Sequence, residues 1–538
     1  MEKGSKRRKL FFGGDIITMN AQTPTAEAVG VDSEKIVAVG TFKEVKKILK
    51  NGYDLIDLKG KTLLPGFIDS HIHAIGSIFL LLYPRLKGIK KLKDLQNLLK
   101  KEAILREPDE LLIAFDLDEE KLENPIIPTK WDLDEACPDT PVFIFRHDLH
   151  IGVANSKLLE VLNINKDTVA PEGGEIRRDS KGEITGVLTE NAINQILGVI
   201  RLPDAKVIRE NADKFFYSLA EKGITSIHGV LELDRKGGVE NLGGVALPIL
   251  KLIQENILQN YYGIFFTATP KKILKIKKPP LDEKDEFSKF KVGCLKAWLD
   301  GSFGAYTACL FEPFTNQPEN SGYCVIEENL LYERMVKAHN IGLQIAIHAI
   351  GDKANKLVVD LYKKLLEENP RDNHRHRIEH ASMLTPEVIE AIKKLNLIAS
   401  CQPTFILSEF DWLEKRFGAK RCNIIYPFKS IIDAGIVVAS GSDGPVEDPN
   451  PVLGLHAMVN REGFIPDEVI SVEEALKTYT INGAYAAFEE NIKGSIDIGK
   501  LADFAILDRN PLKVPKNEIK EIQVIENIIR GKTVFKIS

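Results

Sequence analysis

The sequence predicts an α/β fold: a TIM-like (β/α)8 barrel with a small β-sandwich module from both termini and an inserted α+β module after the first barrel strand. Three observations support this prediction. Short apolar strands alternate with helical patterns through the middle of the chain. Short strands broken by Gly and Asp occur at both ends. One long interval separates the first two barrel strands, and it has strands and helices of its own.

The barrel is predicted from eight apolar segments, with helical patterns between several of them. These segments are Phe67-Ile68, Ile224–Ile227, Tyr262–Phe266, Cys294–Leu299, Leu343–Ile347, Arg377-Ile378, Leu397–Ser400 and Ile436–Ala439. The helical patterns are Ala212–Lys222, Leu331–His339, Asn355–Glu368 and Pro386–Leu395. Strands that alternate with helices are typical of a parallel barrel.

The chain is assigned to the barrel and to modules outside the barrel strands. We expect the terminal β-module at 1–64 and 489–538, the first barrel strand region at 65–84, the insertion at 85–210 and the remainder of the barrel at 211–488. The insertion has its own predicted strands at Leu111–Phe115 and Val142–Phe145, and we expect it to cover the barrel mouth.

Composition narrows the functional class. The 538 residues are 44% hydrophobic and 28% charged, with a net charge of −5, which is typical of a soluble globular protein and gives no support for a nucleic-acid partner. The polar N-terminus and the absence of a long apolar segment predict a cytoplasmic protein without a membrane partner. No Gly-rich phosphate loop follows a strand, which disfavours a nucleotide-binding enzyme. The six cysteines form no C-x-x-C pair, so neither a disulfide framework nor a thiolate zinc site is favoured.

The strongest chemical signal is the segment Pro65-Gly66-Phe67-Ile68-Asp69-Ser70-His71-Ile72-His73. Residues two apart in a strand point to the same face, so His71 and His73 can bind one metal ion together. Taken alone, such a pair is as often structural as metal-binding. The apolar strand and the Pro-Gly turn before it favour the metal site.

Three more polar residues follow apolar strands. His348 and His380 end two of the predicted strands, and Asp443 follows another. Function in a TIM barrel lies at the carboxyl ends of the strands, whereas mid-strand positions serve packing. A single histidine at such a position is more often a packed rim residue. The same placement on several strands is hard to attribute to chance.

Lys296 lies in Cys294-Leu295-Lys296-Ala297-Trp298-Leu299, a strand that we expect to be buried on both faces. A buried ammonium group is costly without a partner. Two interpretations remain open: Lys296 pairs with Asp300 or Asp443, or it reacts with carbon dioxide to give a carbamate that bridges two metal ions.

In this order the motifs resemble those of the amidohydrolase superfamily, specifically the branch that contains N-substituted formamide deformylase. The resemblance covers nearly the whole chain. It runs through Leu64–His73, Leu295–Ser302, Ile347-His348-Ala349-Ile350-Gly351-Asp352, Arg377-Ile378-Glu379-His380-Ala381, Gly441-Ser442-Asp443-Gly444-Pro445 and Gly499–Phe504.

The resemblance implies a two-metal site. By it, His71 and His73 bind the first metal, and His348 and His380 bind the second. Carboxylated Lys296 bridges the two ions, and Asp443 binds the first metal and the attacking water. Zn²⁺ is the expected divalent metal. The family also tolerates one-metal variants, so the number of ions stays open.

The expected chemistry follows from these ligands. Metal-activated hydroxide attacks, while Asp443 accepts its proton and passes it to the leaving nitrogen. Asp69, Asp352 and Glu379 are candidate acceptors for imidazole N–H groups, and each is equally suited to a surface or capping role.

Three residues are candidates for substrate binding. His150 lies in Arg146-His147-Asp148-Leu149-His150, which resembles a segment that the branch carries in its insertion. His228 follows a predicted strand, and Trp298 lies in the Lys296 strand. For His228 and Trp298, rim or core packing is at least as good an interpretation.

The sequence thus predicts a metal-dependent hydrolase that cleaves a C–N bond of an amide, formamide or cyclic amide in a small molecule. The alternatives are C–O hydrolysis of a lactone or ester at the same site, and a non-catalytic scaffold of the same fold. No ligand is missing, which disfavours the scaffold. A homo-oligomer is compatible with such a barrel, but the sequence does not decide it.

Overall fold

Eight parallel strands form the centre of the fold in the computed structural model, which describes residues 8–107, 109–197, 199–200, 203–234, 246–276 and 287–537. Each strand pairs with the next one along the chain, which confirms the predicted fold class. The barrel strands, in order, are Phe67–Ile72, Ile224–Glu232, Asn260–Phe266, Phe290–Trp298, Gln344–Ala349, Arg377–His380, Ile398–Cys401 and Val438–Ser440. Each strand overlaps one of the eight predicted segments, and four of these segments extend one or two residues beyond their strand.

The loop that follows the eighth strand meets the first strand and brings the two ends of the sheet together. The Asp443 N–H donates to the His71 carbonyl at 2.7 Å, and the His73 N–H donates to the Gly444 carbonyl at 2.7 Å. Gly441 permits this approach, because a Cβ atom there would overlap the backbone nitrogen of His71. These contacts place the loop that carries Asp443 directly against the strand that carries the His71–His73 pair.

Helices connect the barrel strands, and each of the four predicted helical patterns is helical in the structure. The helices of the barrel are Ala74–Leu80, Ala205–Glu221, Ala246–Ile253, Lys271–Leu274, Glu328–His339, Asp352–Glu368, Pro386–Lys394, Phe405–Cys422, Phe428–Asp433, Pro451–Asn460, Val472–Thr478 and Ile481–Ala486. Short 3₁₀ helices occur at Arg461–Gly463 and Pro466–Glu468. Their apolar faces and the strands form the largest hydrophobic core of the chain.

The two ends of the chain share one mixed sheet. In it, Ala505 near the C-terminus pairs antiparallel with Leu64, just before the first barrel strand. The strands are Arg8–Ile17, Thr25–Asp32, Lys35–Gly40, Tyr53–Asp57, Thr62–Pro65, Phe504–Leu507, Val524–Ile529 and Lys532–Lys536, with one helix at Phe42–Leu49 and a 3₁₀ helix at Lys516–Glu521.

The interval between the first two barrel strands folds around a separate five-stranded sheet. Its strands are Leu112–Leu117, Val142–Arg146, Ile151–Ala154, Gly174–Arg178 and Ile184–Glu190. Its helices are Leu92–Ile104, Lys130–Asp134, Ser156–Val161 and Asn194–Leu197, with 3₁₀ helices at Glu119–Lys121 and Asn191–Ile193. In the part of the chain that the structure describes, no helix is both long and apolar enough to cross a membrane.

Candidate metal centre

The His71–His73 pair and Asp443 meet at the carboxyl ends of the barrel strands. The Asp443 Oδ1 atom lies 3.4 Å from His71 Nε2 and 3.0 Å from His73 Nε2. One ligand atom from each residue falls within 4.8 Å of the other two, and all three residues are buried. Two imidazoles and a carboxylate converging in this way form a donor set that suits Zn²⁺.

Glu379 orients the first of these imidazoles. Its carboxylate contacts His71 Nδ1, so Nε2 is the ring nitrogen that faces Asp443. Burial and the Lys296 charge hold the pKa of His71 well below its usual value, so the ring is neutral, as a metal ligand must be. Arg377 in turn holds Glu379, with Nε donating to Oε1 at 2.6 Å and Nη2 donating to Oε2 at 3.0 Å. The expectation that Glu379 would accept an imidazole N–H agrees with this geometry.

His348 and His380 lie next to each other beside this group, with ring centroids 4.4 Å apart. The Nε2 atom of His348 lies 3.1 Å from the Gly301 carbonyl, which accepts its proton. Its Nδ1 atom is buried and has no hydrogen-bond partner among the residues that the structure describes. The Nδ1 atom of His380 lies 2.7 Å from Gln402 Oε1. A neutral imidazole with one nitrogen held and the other unpaired is the usual form of a metal-ligating histidine.

Lys296 is fully buried between these histidines and Trp298. Its Nζ atom lies 3.3 Å from His71 Nε2 and 5.1 Å from the centroid of the Trp298 ring. The structure therefore places Lys296 beside His71, one of the predicted metal ligands.

Asp443 itself is held in its ionised form. Burial raises the pKa of its carboxyl group, but the close approach of His73 and the nearby Lys296 ammonium group help to outweigh burial and bring the pKa below its usual value. The neighbouring Ser442 is fixed by Asp69, which accepts its N–H at 3.0 Å and its hydroxyl at 2.6 Å.

The two aspartates considered either as imidazole acceptors or as surface or capping residues accept hydrogen bonds from other groups. Asp69 accepts the main-chain N–H of His71 at 3.2 Å, and the same oxygen accepts the N–H of Ser442, which follows the eighth barrel strand. Asp352 accepts the Phe311 N–H at 3.1 Å from the first turn of its helix. The carboxylate close to an imidazole on this side belongs to Asp300, whose Oδ1 lies 3.4 Å from His348 Nε2.

Asp300 was missed as a supporting residue at the sequence level, where it was considered only as a partner for Lys296. It accepts the backbone N–H groups of Ile350 at 3.0 Å, Gly351 at 2.9 Å and Cys309 at 2.9 Å. These bonds fix the turn that follows His348. Its position directly after the Lys296 strand was the available signal.

Of the candidates for substrate binding, His150 reaches the centre from the inserted module. It lines a narrow pocket together with His380 and Asp443, and its ring centroid lies 5.7 Å from that of His348. Its Nδ1 atom lies 3.0 and 2.9 Å from the two carboxylate oxygens of Glu190. Burial lowers the pKa of His150, but the Glu190 carboxylate outweighs burial and raises it to about 9. His150 is therefore cationic at neutral pH.

The other two candidates lie in different surroundings. His228 is fully buried, with Nδ1 3.2 Å from Arg377 Nη1 and its ring against Tyr262. It therefore contacts Arg377, the residue that holds Glu379. Trp298 is half-buried, packs edge-on against Phe266 and lines a cavity beside the centre.

Comparisons with known proteins identify the family of the chain. Residues 54–535 match the amidohydrolase family. The chain is 30% identical to the putative amidohydrolase YtcJ of Bacillus subtilis over 99% of this chain and 100% of that protein. It is 24% identical to the N-substituted formamide deformylase of Arthrobacter pascens over 98% of each chain. The crystal structure of an uncharacterised metal-dependent hydrolase from Pyrococcus horikoshii superposes with a TM-score of 0.73 at 28% identity, over 95% of this chain and 99% of that one.

Proposed function

The chain belongs to the amidohydrolase family of metal-dependent hydrolases, and we propose that it cleaves a C–N bond of an amide, formamide or cyclic amide in a small molecule. The observation that carries the proposal is the convergence of His71, His73 and Asp443 at one point of the barrel mouth. The name of the deformylase relative supports the choice of a C–N bond.

The residues present fit a divalent metal, and Zn²⁺ is the ion that we propose. His71, His73 and Asp443 would hold one ion, and His348 and His380 would hold a second. The unpaired, buried Nδ1 atom of His348 supports the second position. A divalent cation in such a site supplies Lewis acidity, which lowers the pKa of water and polarises a carbonyl oxygen.

Lys296 is proposed to bridge the two positions as a carbamate. Its ammonium group would first lose a proton. The neutral amine would then form an N–C bond with carbon dioxide and lose a second proton, so that an anion replaces a buried cation among the metal ligands. The burial of Lys296 and its 3.3 Å distance from His71 Nε2 support this role. The reaction also removes the cost of an ammonium group beside imidazole donors.

Asp443 is proposed as the proton carrier. Its carboxylate is ionised, lies 3.0 Å from His73 Nε2 and lines the narrow pocket at the centre. It would accept the proton of the attacking water and donate it to the leaving nitrogen, so that the amine departs uncharged.

His150 is proposed to bind the substrate carbonyl. Because Glu190 occupies Nδ1, the other ring nitrogen remains to donate a hydrogen bond into the pocket that Asp443 also lines. A cationic imidazole there would stabilise negative charge as it develops on the carbonyl oxygen.

The proposal is tested with N-formyl, N-acyl and cyclic amides, assayed with wild-type protein and Asp443→Asn. We expect turnover of at least one C–N substrate, and a loss of at least about 1000-fold in kcat for the variant, with an unchanged circular dichroism spectrum. Near-normal rates in a folded Asp443→Asn variant would move the proton-transfer role elsewhere. Hydrolysis of lactones or esters with no turnover of any amide would refute the C–N assignment.

A further inference from the structure

A cavity of about 230 Å³ lies beside the proposed metal centre, next to the fourth barrel strand. Its apolar wall includes Phe266, Trp298 and Ile326. The Phe266 and Trp298 rings meet edge to face with centroids 4.5 Å apart, which gives the wall a fixed aromatic surface. Its polar groups include Glu190 from the inserted module and Arg334 from the helix Glu328–His339.

Single side chains separate this cavity from the metal ligands. Trp298 lines the cavity, and its ring centroid is 5.1 Å from the Lys296 Nζ atom. Glu190 also lines the cavity and binds His150, whose ring centroid lies 5.7 Å from that of His348. Trp298 and Glu190 therefore form the wall between this cavity and the proposed centre.

Arg334 is the unusual group in the cavity wall. Its side chain is partly buried, and its Nε atom is fully buried. Within the described part of the chain, Arg334 takes part in no hydrogen bond and no ion pair. Asp234 is the carboxylate that interacts electrostatically with Arg334. It already pairs with Lys272 and accepts a hydrogen bond from the Thr267 hydroxyl. A buried guanidinium nitrogen without an acceptor costs free energy, and an anionic ligand would remove that cost.

The acidic residues of the cavity wall do not pair with Arg334. Glu190 is engaged by His150 and accepts the Thr307 hydroxyl at 2.6 Å. Glu172 and Glu327 are exposed, so water screens their charge. Arg334 is thus the charged group that combines burial with the lack of a protein partner among the described residues of this wall.

We propose that this cavity binds the part of the substrate remote from the scissile bond, and that it selects an aromatic or branched apolar group with an anionic end. Trp298 and Phe266 contact the apolar body, and Arg334 donates hydrogen bonds to the anion, for which a carboxylate is the simplest chemistry. This inference rests on the proposed hydrolysis of a C–N bond, and it names the substrate class for that site.

The kinetic test uses two matched formamides, 4-(formamidomethyl)benzoate and N-(4-methylbenzyl)formamide, which differ in the anionic end. We expect wild-type protein to favour the carboxylate in kcat/KM by about 10-fold or more. Arg334→Gln should lower kcat/KM about 10- to 100-fold for the carboxylate and less than about 3-fold for the neutral compound. Arg334→Lys should restore part of the preference, and Arg209→Gln on an outer helix is the matched control. Equal losses on both compounds, or a wild-type preference for the neutral one, would overturn the proposal.

A binding measurement separates this proposal from the proposed function. The probe is 4-methylbenzoate, titrated calorimetrically into metal-loaded wild-type and Arg334→Gln protein with equal unfolding temperatures. A Kd at least about 10-fold weaker in the variant supports the cavity site even where no formamide is turned over. Binding that Arg334→Gln leaves unchanged places the carboxylate on the metal instead and contradicts the proposal, whether or not C–N hydrolysis is observed. The absence of any binding to the wild type contradicts it as well.

Discussion

Replacement of Glu379 by glutamine tests how the first metal ligand is positioned. Glu379 is fully buried and touches His71 on one side and Arg377 on the other. Burial raises its pKa, but the Arg377 guanidinium outweighs burial and holds the pKa below the usual value, so the native group is a carboxylate. Glutamine has the same shape, but its NH₂ group must face one of two donors, the His71 Nδ1–H or the Arg377 N–H.

Two effects follow from that mismatch. The loss of a carboxylate that fixes a ligating histidine typically weakens metal binding by about 10- to 100-fold, which is about 1.4 to 2.8 kcal/mol. The loss of one partner from a buried ion pair destabilises a fold by about 3 to 5 kcal/mol. Arg377 keeps its bonds to the Ser70 carbonyl at 2.7 Å and to Ser400 Oγ at 2.9 Å, so we expect the lower end of that range.

Metal affinity is measured by titrating the metal ion into metal-free protein in competition with a chromophoric chelator. The free energy of unfolding is measured by chemical unfolding of the metal-free protein. Glu333→Gln is the matched control, since Glu333 pairs with Lys337 on an exposed helix face, and it should change neither quantity. A folded Glu379→Gln protein with unchanged metal affinity would refute the view that this carboxylate orients His71.

Three further predictions concern barrel closure, pH dependence and the bridging lysine. Gly441→Ala should destabilise the protein by about 1 to 3 kcal/mol, because its Cβ overlaps the first strand, whereas Gly76→Ala, which meets only an ordinary contact, should not; equal unfolding temperatures would contradict this. Because the pKa of His150 is raised to about 9, its imidazole is cationic below that pH and neutral above it. We therefore expect kcat/KM to fall as the pH rises through about 9. Glu190→Gln removes the raising charge and should move this alkaline limb down by about two pH units or more, toward the usual imidazole value. An unmoved limb would assign it to another group. Metal-loaded protein in ¹³C-bicarbonate should give a carbamate NMR signal that Lys296→Arg lacks, and its absence from active wild-type protein would exclude the bridge.

The local sequence predicted the barrel well, because most of its strands contain apolar runs that can be recognised without knowledge of their neighbours. It also predicted that His71 and His73 share a face, since the two-residue period of a strand requires it. The structure agrees, with the two ring centroids 5.2 Å apart.

Contacts between distant segments were not predictable in the same way. Asp69, Asp352 and Glu379 all lie within four residues of a predicted ligand, but of these three only Glu379 reaches an imidazole. Which carboxylate reaches an imidazole depends on the direction of side chains on neighbouring strands. The binding of His150 by Glu190 joins two parts of the insertion 40 residues apart, and the Arg334 cavity needs barrel and insertion together. No local periodicity encodes these contacts.

Stepwise removal of metal is the measurement that bears most directly on the proposed centre. Turnover and bound divalent metal per chain are followed together as a chelator strips the purified protein, and again as Zn²⁺ is returned. We predict that turnover falls in proportion to the metal lost, that it recovers when Zn²⁺ returns, and that a His71→Ala, His73→Ala double variant recovers neither metal nor turnover. Full turnover by metal-free wild-type protein would contradict the account.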